Sequence, residues 1–102
     1  MSDSRRFREL GPRVQVHDLK CWPPEWVAVN DNRKRVDIRR ADRSYRVGDL
    51  LVFREGDPEA SLVPAYTGRV CTRVVTHILR GGQFGLTDGY VALLLGVEGA
   101  DE

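Results

Sequence analysis

The stretch Lys34-Arg35-Val36-Asp37-Ile38-Arg39-Arg40 decides how this chain is read. Val36 and Ile38 alternate with charged residues, the two-residue period of a β-strand with one apolar and one charged face. Downstream come Asp42-Arg43-Ser44-Tyr45 and Val47-Gly48-Asp49, a polar loop. Between Arg33 and Arg46 there are seven basic residues (Arg33, Lys34, Arg35, Arg39, Arg40, Arg43 and Arg46) against Asp37 and Asp42. That is a local excess of five positive charges in a chain whose net charge is +1. So local an asymmetry points to an anionic partner, with phosphate the first candidate.

Reading outward, Val14 to Lys20 has the composition of a first strand. Pro23-Pro24 then marks a helix start, where a missing N–H costs little. Trp22, Trp26 and Val29 fall at i, i+4 and i+7, the spacing of one apolar helical stripe. Asn30-Asp31-Asn32 ends that helix, because Asn and Asp tolerate left-handed backbone angles. The opening strand is expected from about Arg33 to Arg39. Leu50-Leu51-Val52-Phe53 is apolar on both faces and reads as a central strand. Gly56-Asp57-Pro58-Glu59-Ala60-Ser61 is turn-rich, and the loop extends to Gly68 on this reading. Val70 to Leu79 is a β-branched strand, Gly81 to Gly85 a flexible loop, and Tyr90 to Val97 the last strand. About five short strands with one helix after the first predict a mainly β (α+β) fold, a small, partly closed β-barrel.

The chain has 102 residues, 41% of them hydrophobic, enough for one core and too many for a disordered chain. This divides it into a flexible tail at 1–12, one domain at 13–97 and an acidic tail at 98–102. The longest apolar run, Val91 to Leu95, is strand-sized, so no membrane partner is expected. No apolar segment follows the N-terminal charges, and Cys21 and Cys71 form no CxxC pair. Both points lead us to expect reduced thiols and a cytoplasmic location. His17 and His77 with the two cysteines match no zinc spacing, so neither a metal nor a cofactor is expected.

Further motifs occur in a fixed order: His17-x-Leu19-Lys20, Pro24-Glu25-Trp26, Lys34-x-x-Asp37-Ile38-Arg39, Asp42-Arg43-x-Tyr45-x-Val47-Gly48-Asp49, Tyr66-Thr67-Gly68-Arg69 and Phe84-Gly85-Leu86-x-x-Gly89-Tyr90-Val91. Together they resemble an uncharacterised bacterial and phage family within the ASCH superfamily of PUA-like domains, over about Val16 to Gly96. The resemblance implies a PUA-like barrel that binds RNA or a nucleotide, with DNA and modified bases as further ligands. One branch of the superfamily is an amidohydrolase of an acetylated cytosine nucleoside, using a lysine, a threonine and a glutamate. The superfamily signature is Gly-x-Lys, a polar or acidic group three residues later, then Arg. Here Asn32 stands for the glycine and Asp37 for the glutamate of the nearest relatives. The hydrolase threonine is missing at Asp37.

These observations nominate a site. Lys34 and Asp37 are the candidates for catalysis. Lys34, Arg39, Arg40 and Arg43 are candidates for neutralising phosphate, and Asp37 for accepting from a base's exocyclic amine. Tyr45 and Trp22 offer stacking faces, while Trp26 reads as core. Tyr66, Thr67 and Arg69 are placed in a turn walling the same cleft, with Gly68 allowing close backbone approach. Strict alternation puts Lys34 opposite Asp37 and Arg39, so the three share a site only if the strand begins after Lys34. The leading expectation is a nucleic-acid- or nucleotide-binding module. The alternatives are a small amidohydrolase of an acylated cytosine nucleoside and a phage-type protein-interaction module.

Overall fold

The computed structural model describes residues 14–57 and 65–97. The expected tails at 1–12 and 98–102 and most of the turn-rich excursion after Gly56 lie outside the described residues. Five strands and one helix follow in order: β1 (Val16–Cys21), α1 (Pro23–Asn30), β2 (Val36–Arg40), β3 (Leu50–Asp57), β4 (Ala65–Arg80) and β5 (Tyr90–Leu95).

The sheet has the order β1-β3-β4-β5-β2. β1 runs parallel to β3, with Leu19 opposite Phe53 and Cys21 opposite Glu55. The other neighbours are antiparallel. β4 is the hinge of the sheet. Residues Ala65 to Val74 pair with β3, a register shift follows at Val75/His77, and the remainder pairs with β5. A bulge at that point turns the strand, as bulges do. The expected barrel is not closed: among the described residues no ladder joins β1 to β2, so both are edge strands. Nothing in a hydrophobic pattern specifies the last ladder, because edge and paired strands alternate alike.

The core is built from alternate residues of the strands and from α1. Leu51, Phe53 and Val75 are fully buried, with Leu19, Val91, Leu93 and Leu95 around them. Leu51 and Phe53 sit at the centre because β3 is flanked on both sides, as its two-faced apolar sequence predicted. Burial of each such side chain contributes roughly 2–3 kcal/mol.

α1 packs Trp26 and Val29 into this core, and the indole Nε1 donates to Phe53 O at 2.9 Å. Trp22 does not join the stripe. It precedes Pro23, which disfavours helical angles for it. Its backbone is extended (φ −69°, ψ 153°), and its indole is 56% exposed. Buried Arg73 closes the other end of the helix, donating from Nη2 to the carbonyls of Val29 and Asn30 at 3.0 Å each. A cation suits a helix C-terminus.

Two expected loops differ. β3 and β4 extend well past Phe53 and Val70, so Tyr66-Thr67-Gly68-Arg69 is strand, not turn. The Arg54–Val70 and Gly56–Tyr66 pairs set Glu55 alone against Thr67, Gly68 and Arg69, a bulge. Gly68 takes φ +98° there, and a Cβ on it would meet nothing within 4 Å. Backbone angle, not close approach, is what glycine supplies at this position. The Gly81 to Gly85 loop is hydrogen-bonded, with Gly82 N donating to Leu86 O at 2.7 Å and Leu86 N to Gln83 O at 2.9 Å.

His17 and Asp49 form a buried structural knot. The ring Nε2 lies 2.8 Å from Asp49 Oδ2, and the backbone N–H groups of Gln15 and Arg46 donate to the same carboxylate. Burial alone would raise this carboxyl's pKa. The three partners outweigh it and hold the group below the usual carboxylate range.

Candidate functional site

The site begins with the way α1 stops. Asn32 takes φ +67° and donates to Val29 O at 3.1 Å, while Arg33 N donates to Ala28 O at 2.9 Å. That pair of bonds is a Schellman motif, with Asn in the left-handed position that glycine fills most freely. Lys34 N also donates to Ala28 O at 2.9 Å, so Lys34 belongs to the helix terminus. The strand starts later, at Val36.

The alternation that would separate Lys34 from Asp37 therefore does not apply. Lys34 Nζ lies 2.7 Å from Glu25 Oε1 and 3.6 Å from Asp37 Oδ1. Arg39 Nε donates to Asp37 Oδ2 at 2.5 Å, and its Nη2 to Lys20 O at 2.9 Å. Asp37 is buried, whereas the side chains of Lys34 and Arg39 are each 26% exposed. The Arg39 guanidinium thus spans the seam between edge strands β2 and β1, where no ladder forms. Burial pulls the Lys34 ammonium's pKa down. The Glu25 hydrogen bond and the Asp37 and Glu25 charges more than offset that and leave it above its ordinary value. The same hydrogen bond lowers Glu25. Cys21 closes the floor; burial and then the Asp37 charge push its thiol up to about 11.

Above this cluster opens a cavity of about 450 Å³, within the range of small-ligand sites. Lys34, Asp37, Arg39, Arg40 and Arg43 converge on it, together with Trp22 and Tyr45. Glu25, Lys20, Ile38, Asp42 and Tyr90 complete the wall. Around buried Asp37 the charges balance: Lys34 and Arg39 face Asp37 from two sides, and exposed Glu25 pairs with Lys34. The rim is cationic, with exposed Lys20, Arg40 and Arg43 against Asp42. Arg40 sits 5.9 Å over the Tyr90 ring, and Arg43 5.9 Å over Tyr45. Tyr45 is itself buried and packs on His17, ring centroids 4.7 Å apart.

Tyr66, Thr67 and Arg69 do not line this cavity. They stand on β4. Arg69 grips buried Glu55 with Nε and Nη2, both at 2.9 Å, and Thr67 Oγ1 donates to Glu55 Oε1 at 2.7 Å. The Arg69 guanidinium lies 4.5 Å over the Trp26 ring. The bulge at Gly68 is what turns both Thr67 and Arg69 toward one carboxylate. Arg69 thereby packs on α1 through Trp26, away from the cavity.

Residues 16–95 match the model of a family described only as a domain of unknown function, DUF3850. The chain belongs to the DUF3850 family. No curated protein matches it. The DUF3850 match spans β1 to the end of β5, so the open seam and its cavity lie inside the family domain.

Glu25, Lys20 and Tyr90 line the cavity without having been nominated from the sequence. An acid in the first turn of a helix is favoured by the helix dipole alone, and the eight residues between Glu25 and Lys34 suggest no contact. Tyr90 was hidden in the same way, as the first residue of an ordinary strand.

Proposed function

We propose that this DUF3850 domain is a PUA-like module that binds nucleic acid or a nucleotide in the seam between β1 and β2. The observation that carries this reading is the division of charge in the cavity. A neutral, hydrogen-bonding interior around Asp37 suits a base edge, and the cationic rim of Lys20, Arg40 and Arg43 suits phosphate. Exposed Trp22 and the arginine-covered Tyr90 add stacking faces. Resemblance to the ASCH superfamily favours RNA over DNA.

The amidohydrolase reading has weaker support. A lysine base must lose its proton near neutral pH, whereas Glu25 and Asp37 stabilise the Lys34 ammonium.

The test is a salt titration of binding to RNA, single-stranded DNA and a nucleoside monophosphate. Phosphate neutralisation makes log affinity fall linearly with log salt, and Arg40→Ala and Arg43→Ala should each lower the slope for a strand by about 1. Absence of binding at low salt to all three ligands refutes the reading. Hydrolysis of N4-acetylcytidine, lost in Lys34→Ala, favours the enzyme instead, and nuclease-resistant capture of a protein favours an interaction module.

A further inference from the structure

The β4–β5 hairpin turns at Phe84-Gly85, with a bridge between Gln83 and Leu86. Both central residues have positive φ, +53° at Phe84 and +80° at Gly85. That is the pattern of a type I′ turn, which prefers Asn-Gly because a bulky side chain strains the first position. Phe84 nonetheless occupies it, and it is 84% exposed. Neither burial nor backbone preference accounts for a phenylalanine here, and strain held at an exposed aromatic points toward function.

The base of the same hairpin borders the cavity. Gly81 N donates to the carbonyl of Tyr90, a cavity-lining residue paired across the ladder with Arg40, at 2.8 Å, and the N–H of Ala41, next to Arg40, donates to Gly89 O at 2.8 Å. Phe84 is three residues from Gly81 and hence within about 11 Å of it. Gln83 Nε2 donates to Arg80 O at 2.9 Å, which fixes the turn on β4.

We infer that Phe84 is a second stacking platform, and that the ligand is a strand of several nucleotides rather than a free nucleotide. This rests on the nucleic-acid reading of the seam. One nucleotide occupies the cavity, the backbone leaves along Arg40 and Tyr90, and a neighbouring base stacks on Phe84. Every base has a π-face, so the contact adds affinity without sequence preference.

The experiment compares the full chain with Phe84→Ala and Phe84→Asn, using uridine monophosphate and hexauridylate as probes at low salt. Hexauridylate should bind the parent more tightly than the monophosphate. Both variants should lose roughly 5- to 100-fold toward the hexanucleotide and keep their affinity for the monophosphate. Phe84→Asn should melt no lower than the parent, because Asn suits the turn. Unchanged hexanucleotide binding in folded Phe84→Ala, with the parent binding both probes, overturns the inference alone and leaves Phe84 for a protein partner. Loss of both ligands together with a lower melting temperature in Phe84→Asn assigns Phe84 a structural role and also overturns it. If the parent binds neither probe, the reading of the seam falls and this inference with it.

Discussion

Lys34 Nζ lies 3.6 Å from Asp37 Oδ1 although a continuous strand would set the two residues on opposite faces. The helix terminus, not the strand, places the lysine. The charged stretch therefore forms one cluster. Asp37 is its buried centre, held by Lys34 from the helix side and by Arg39 from its own strand.

The Asp37–Arg39 pair should behave as a buried pair that also braces the seam. A double-mutant cycle with Asp37→Ala and Arg39→Ala, read by urea unfolding, should give a coupling of about 1–3 kcal/mol. Exposed ion pairs give about 0.2–1 kcal/mol. A coupling at the bottom of that lower range would show that burying Asp37 adds nothing to the pair.

Lys34 should stay charged across the working range. Its folded pKa is raised, so its stabilising contribution is complete below the ordinary lysine value and is lost only as pH rises through the higher folded value. Nucleotide affinity, followed by calorimetry from pH 7 to 9.5, should therefore show no break that Lys34→Arg removes. Such a break would reveal a neutral lysine and revive the hydrolytic alternative.

The His17–Asp49 knot makes a prediction of opposite sign. The Asp49 carboxyl is depressed in the folded state, so its contribution is present above the unfolded aspartate pKa of about 3.9 and is lost as pH falls through the folded value. Asp49→Asn should cost about 2–3 kcal/mol at pH 7, because the Gln15 and Arg46 amides and His17 lose a charged acceptor. Urea midpoints at pH 7, 5 and 3 should converge for parent and variant at the acid end. A constant gap across the series would mean that the carboxylate charge is not what stabilises the knot.

Gly81 should tolerate no side chain. A Cβ there would collide with the carbonyl oxygens of Thr87 and Tyr90, which are backbone and cannot swing aside. Gly81→Ala should destabilise the hairpin by roughly 2–4 kcal/mol, with Gly85→Ala, where space is open but φ is +80°, costing less. Thermal melts of the two variants decide the order.

Much of this protein was readable in its sequence, and the reason is local physics. The helix between Pro23 and Asn30 follows from proline's fixed φ and from the ease with which Asn32 turns left-handed. The flanked position of β3 follows from its apolar start, Leu50 to Phe53, of which Leu51 and Phe53 face the core while Leu50 and Val52 are half-buried. The pairing of Asp37 with Arg39 follows from the period of two. What only the tertiary structure decided depends on where one element hands over to the next and on which strands lack a partner. Glu25 reaches Lys34 because the Schellman turn reverses the chain between them. Thr67 and Arg69 meet Glu55 through a bulge that exists only against β3, so their stretch read alone as a turn. The charged stretch lines a cavity beside the seam where β1 and β2 stay unpaired. No local pattern encodes that gap, which is the net result of the register and bend of all five strands.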